Sequence, residues 1–194
     1  MQFASFLHTT FTIAAGAAAV AAQNVAVISC DRDNTLYESA NGDASNGDGE
    51  RVFVGVTAQG AVRRALLRFD VASALPPGAR VVAASRQLHV VTSVAPQPAT
   101  AGVHRVTADW GEGSSSATGG GGGMGASATV GDATWTRRFH PSVAWTSPGG
   151  DFVPTPSALF ALPITGPAEI GTATRLVAYV QTWLDQPATN HGWC

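Results

Sequence analysis

The feature that most constrains this chain is a series of short runs in which apolar and polar residues alternate at every second position. Residues 51–57 (RVFVGVT) put Val52, Val54 and Val56 on one parity and Arg51, Phe53 and Thr57 on the other. Successive side chains of a strand point to opposite faces, so this period predicts a strand with its valines buried and Arg51 and Phe53 outward. Residues 63–70 (RRALLRFD) repeat the pattern, with Ala65, Leu67 and Phe69 inward and Arg64, Leu66 and Arg68 outward. The LPPG run at 75–78 supplies a turn. The β-branched stretch 80–94 follows as a third strand, which makes a meander, and 104–107 and 133–139 add further strands. Charged residues are 12% of the chain, against 22 Gly and 11 Pro. That is about half the usual charged share and suits turn-rich sheets better than charged surface helices. One helix is expected, over 174–185 (TRLVAYVQTWLD), where Leu176, Val177, Val180, Trp183 and Leu184 share a face. The 194 residues suffice for one core, and the fold class they imply is all-β.

Net charge removes one class of partner. Eleven basic residues, all Arg, stand against 13 acidic ones for a formal charge of −2. Binding to nucleic acid by counterion release needs a basic excess, so nucleic acid is not expected. The first 22 residues carry no Asp, Glu, Lys or Arg and end in a run of small apolar residues. They read as a secretory signal over 1–22, cut after Ala21 or Ala22 and followed by one domain over 23–194. That places the protein outside the cell, and no later run is long enough to span a membrane. Cys30 and Cys194 lie near the two ends of that domain, where export would permit a disulfide. Spacing leaves open whether they pair or stay free thiols. Residues 114–125 (SSSATGGGGGMG) read as a mobile surface loop. No Lys-Ser/Thr follows the glycines, which excludes a phosphate-binding P-loop.

A larger pattern then emerges from five blocks: RRALLRFDVASALPPGARV (63–81), HRVTADWGEG (104–113), GDATW (131–135), PGGDF (148–152) and VQTWLDQPATNHGW (180–193). In order and spacing they resemble the secreted DNRLRE domains, which are similar to carbohydrate-binding module family 96. The resemblance covers about residues 31–193. It implies a jelly-roll-like β-sandwich of two antiparallel sheets, an extracellular location and noncatalytic binding of polysaccharide, with acidic glycans such as alginate as ligand. Two departures stand out. No literal DNRLRE string occurs, only the looser DRDNTLYE at 31–38. Modules of this type also continue past the block matching NHGW, so a closing strand is expected to be missing after Cys194.

Recognition of an acidic glycan needs flat aromatic faces for the sugar ring and planar guanidinium forks for uronate carboxylates. Parity gathers Arg51, Arg64 and Arg68 on one outward sheet face, joined by His89 and His104 on the following strands. A second candidate cluster is Trp135, Arg137, Arg138 and Trp145. The alternative for each is a solvated outer face without ligand, which corresponds to a structural or adhesive surface domain. No cofactor is expected, and the oxygens of Asp31 and Asp33 are the leading candidates for Ca²⁺, which takes about six to eight such ligands. His104, His140, Asp109, Asp151 and Tyr179 could compose an acid/base set on paper, but no spacing supports one. Catalysis, as a lyase or hydrolase, is therefore the weakest class.

Overall fold

The computed structural model describes residues 2–16, 24–118 and 122–194. Along the chain run β1 (Gln2–Gly16), β2 (Asn24–Ser29), β3 (Arg32–Tyr37), β4 (Ala44–Ser45), β5 (Val52–Val56) and β6 (Val62–Arg68). A single helical turn, α1 (Val71–Ala74), leads to β7 (Arg80–Ser93), β8 (Ala99–Val103), β9 (Ala126–Ser127), β10 (Arg137–Phe139) and β11 (Val143–Ala144). After them come β12 (Ala158–Leu162), β13 (Gly166–Ile170) and α2 (Thr174–Asp185). The chain is mostly β and its strand pairs are antiparallel, in keeping with the all-β expectation.

The largest sheet runs β13-β7-β1-β5-β6-β3, with β2 pairing β1. β5 and β6 are neighbours because the turn between them closes tightly: Thr57 N–H donates to Ala61 O at 2.8 Å and Gly60 takes φ +86°. The expected meander stops there. β7 does not follow β6; β1 lies between β7 and β5, matching Phe6 with both Val52 and Val90. Residues 2–16, read from sequence as part of a leader, are thus a central strand, and the Phe11 ring packs 5.4 Å from Phe69 and 5.3 Å from Trp193. An apolar run bounded by small residues fits a leader and a strand buried on both faces equally well, and periodicity does not separate them. The expected cleavage positions lie outside the described residues.

One core joins Phe11, Leu67, Phe69, Leu88, Trp183 and Trp193 beneath α2. α2 covers the span expected of it and buries Leu176, Val180, Trp183 and Leu184. The Gln181 side chain ties it to the sheet, accepting from Val81 N–H at 2.8 Å and donating to Ala79 O at 3.1 Å. α1 adds a second helical element that periodicity missed, closed by Asp70, whose carboxylate accepts from Ser73 N–H.

A second core, of Leu36, Leu66, Val106, Trp110, Ala133 and Trp145, lies under the segment 105–153. Leu66, expected outward, is 1% exposed there. Phe53, also expected outward, is buried against Tyr37, while Tyr37 Oη donates to Gly122 O at 2.9 Å. Gly122 takes φ +85°, and a Cβ on it would lie 3.2 Å from the Phe53 ring. Gly122 therefore anchors the glycine-rich loop on the sheet, because glycine permits both the backbone conformation and the approach, while Ser114, Ser116, Thr118 and Met124 stay exposed as expected of a surface loop.

The strand expected at 104–107 does not form: β8 ends at Val103, and only single bridges occur beyond it, at Arg105 and Val106. Trp193 bridges both Leu67 of β6 and Arg105, and Cys194 exchanges backbone hydrogen bonds with His104. Cys30 and Cys194 are free thiols; Cys30 packs on the first core and Cys194 on the second.

Candidate ligand-binding cleft

β6 pairs with β5 only at Val62 and Arg63, and further along it is bridged to Trp193 at Leu67. Between those points the layers part and leave a cleft of about 310 Å³ between β6, β7 and β8. Its walls are apolar, including Ala65, Leu67, Leu88, Val103, Phe160 and Ile170. Its polar side chains are basic or neutral: Arg63, Arg64, Arg86, His104 and Cys194 line it, and among the described residues no Asp or Glu does.

At the mouth the Arg64 guanidinium lies 5.0 Å from the Trp135 ring centroid and 4.9 Å from that of Phe152, within cation–π range. Its Nη1 donates to Gly149 O at 2.5 Å, which fixes the fork. His104 meets Phe152 edge-on at 5.4 Å, and its Nδ1 is 2.9 Å from Val153 O. A Cβ at Gly102 would lie 2.9 Å from His104 Nε2, so glycine keeps that side of the ring clear. Arg63 spends its donors on Glu38 O, Val62 O and Gly123 O. Arg86, at the floor, is 4% exposed and stacks 5.2 Å from both Phe69 and Trp193. Burial lowers its pKa to about 10, so it remains charged at neutral pH.

No family model, curated protein or solved structure matches the chain.

Of the residues expected to bind ligand, the fold brings Arg64, His104 and Trp135 together. The outward face predicted for Arg51, Arg64, Arg68 and His89 does not assemble. The segment 105–153 covers part of β6, and β1 separates β5 from β7. Arg68 is held by the Asp31 carboxylate at 2.5 Å. Arg51 lines a separate hollow with Asn46, Glu50 and Phe53. His89 is exposed opposite Pro167, on the parity of β7 that points away from Arg86 and Leu88. Trp145 is no platform: it is 5% exposed and its Nε1 donates to Thr134 O at 2.9 Å, as a core indole does. Arg138 Nη1 donates to Asp109 O, and Arg137 sits half-buried in β10 opposite Ala144.

Among the described residues no group of three or more His, Cys, Asp or Glu is placed to hold a metal ion. Asp31 is engaged by Arg68, and Asp33 is pushed up to about 7 by burial and by the Glu112 carboxylate. The acid/base candidates are likewise spent separately. Asp109 pairs with Arg32 at 2.9 Å, and Asp151 accepts from Thr146 and Ser147 N–H. Sequence reasoning missed Arg86, Phe152 and Trp193. Arg86 carried a legible signal, since it shares the inward parity of Ala84, Leu88 and Val90.

Proposed function

We propose that this protein is a noncatalytic module that binds acidic polysaccharide at the mouth of the cleft, on a jelly-roll-like sandwich of the DNRLRE type. The observation that carries the reading is the Arg64 guanidinium held between Trp135 and Phe152, beside a basic cleft without a carboxylate. A fixed fork suits a uronate carboxylate, and the flanking rings offer apolar faces to a sugar. The dispersal of His104, Asp109 and Asp151 into separate hydrogen bonds supports a binding role over a catalytic one.

Affinity electrophoresis tests this, through gels holding alginate or a neutral glucan at low and high salt. Alginate is expected to retard the protein, less so at high salt, because exposed charge pairs are screened over ~8 Å at physiological ionic strength. Arg64→Ala should weaken the retardation at least roughly threefold through loss of a charge-assisted contact. Equal retardation by the neutral glucan, or none by alginate, overturns the reading. The exposed Val25 and Val27 on edge strand β2 favour a second reading, an adhesive surface domain. That reading predicts self-association by sedimentation, abolished by Val27→Lys.

A further inference from the structure

Arg86 is an anomaly of its strand. Its neighbours on the same parity, Ala84, Leu88 and Val90, are buried apolar residues, and an aliphatic side chain there would cost no charge burial. Its Nε has no hydrogen-bond partner among the described residues, and none of their ion pairs includes it. Phe69 and Trp193 stack on the guanidinium, which offsets part of the desolvation but gives Nε no acceptor. The two thiols that act on it electrostatically, Cys30 and Cys194, are pushed up to about 12 by burial, so neither supplies negative charge at pH 7.

We propose that the cleft is a binding site for a compact monocarboxylate, its carboxylate on the Arg86 fork and its apolar body against Leu67, Leu88, Phe160 and Ile170. The volume, about 310 Å³, sits at the small-molecule end of ligand pockets. The planar fork matches a carboxylate bidentately. A doubly charged phosphate would call for a second cation at the floor beside Arg86, but Arg63 donates to backbone carbonyls and Arg64 is held at the mouth by Trp135, Phe152 and Gly149. The apolar walls select a hydrocarbon body over a polyhydroxyl one. This site is separate in chemistry from the glycan-binding mouth and stands whether or not that mouth binds sugar.

The test uses the full chain, with cyclohexanecarboxylate as probe and cyclohexanecarboxamide as its neutral counterpart, read by calorimetry and thermal unfolding. The carboxylate is expected to bind and raise Tm, with the amide at least roughly tenfold weaker for want of the charge-assisted bond. Arg86→Leu should remove the response and leave the unliganded Tm equal to or above that of the parent, the signature of a charge kept for binding. Ala101→Phe, which fills the cleft from β8 and leaves Arg86 in place, should block the probe as well. It decides the matter if Arg86→Leu does not fold. No binding of the carboxylate, equal binding of the amide, or a response that survives these variants overturns the proposal. Retardation in alginate gels is unaffected by Arg86→Leu if the two sites are independent, so either reading can fail alone.

Discussion

Asn34 is where a single side chain organises most. Its carboxamide is used inside the fold. Nδ2 donates to Glu112 O at 2.7 Å, and Oδ1 accepts from Thr35 N–H, Ser45 Oγ and Asn46 N–H. Asn34→Ala leaves these groups buried and unpaired and should cost about 2–4 kcal/mol in denaturant unfolding. Asp33 gives a pH signature. Its folded pKa, about 7, lies above the ordinary 3.8 because burial and Glu112 disfavour its charge. The folded state therefore holds the proton more tightly than the unfolded one across that interval. The stability this contributes is fully present below pH about 4 and is lost as pH rises through about 7. Against Asp33→Asn, the parent Tm should fall across that window; parallel curves would rule the assignment out.

Elements meet at Trp193, whose position depends on Gly192. That glycine takes φ +77°, and a Cβ on it would lie 2.2 Å from Leu67 O. Trp193 then pairs with Leu67 through both backbone hydrogen bonds and packs 4.2 Å from Trp183 of α2. Trp193→Ala should lower stability by about 3–5 kcal/mol, the usual loss for a large buried aromatic. β1 is the other keystone. A chain beginning at Asn24 loses the partner of β5 and β7 and exposes two strand edges. It is expected to unfold at a lower temperature and to self-associate, as read by calorimetry and light scattering. Unchanged behaviour would show that the sheet closes without β1.

At the scale of the whole molecule, two cores share β6, whose Ala65 and Leu67 join one and Leu66 the other. That arrangement explains how the site departs from the expected one. A strand with both faces covered cannot offer an open row of arginines, so Arg68 turns to Asp31 and Arg64 to Trp135, Phe152 and Gly149. What β6 itself leaves for a ligand is the gap where it parts from β5. Salt is therefore expected to weaken alginate binding at its mouth and to leave probe binding at the Arg86 end nearly unchanged, as calorimetry at low and high salt would read. An exposed mouth is screened by ions, whereas a buried guanidinium is screened much less.

Local pattern alone determined the all-β class, the neighbouring strands β5 and β6, and α2 over its full length, because each depends on side-chain period and turn chemistry within a short window. It also marked Arg64, His104 and Trp135, residues whose types already suit a carboxylate and a sugar ring. Tertiary structure decided that residues 2–16 lie between β5 and β7, that Phe53 and Leu66 are buried, and that Arg86 stands alone at the floor of a cleft. The physical reason is range. Period reports that a side chain has an inside and an outside, while the partner that covers each face comes from chain tens of residues away, as 105–153 does for β6.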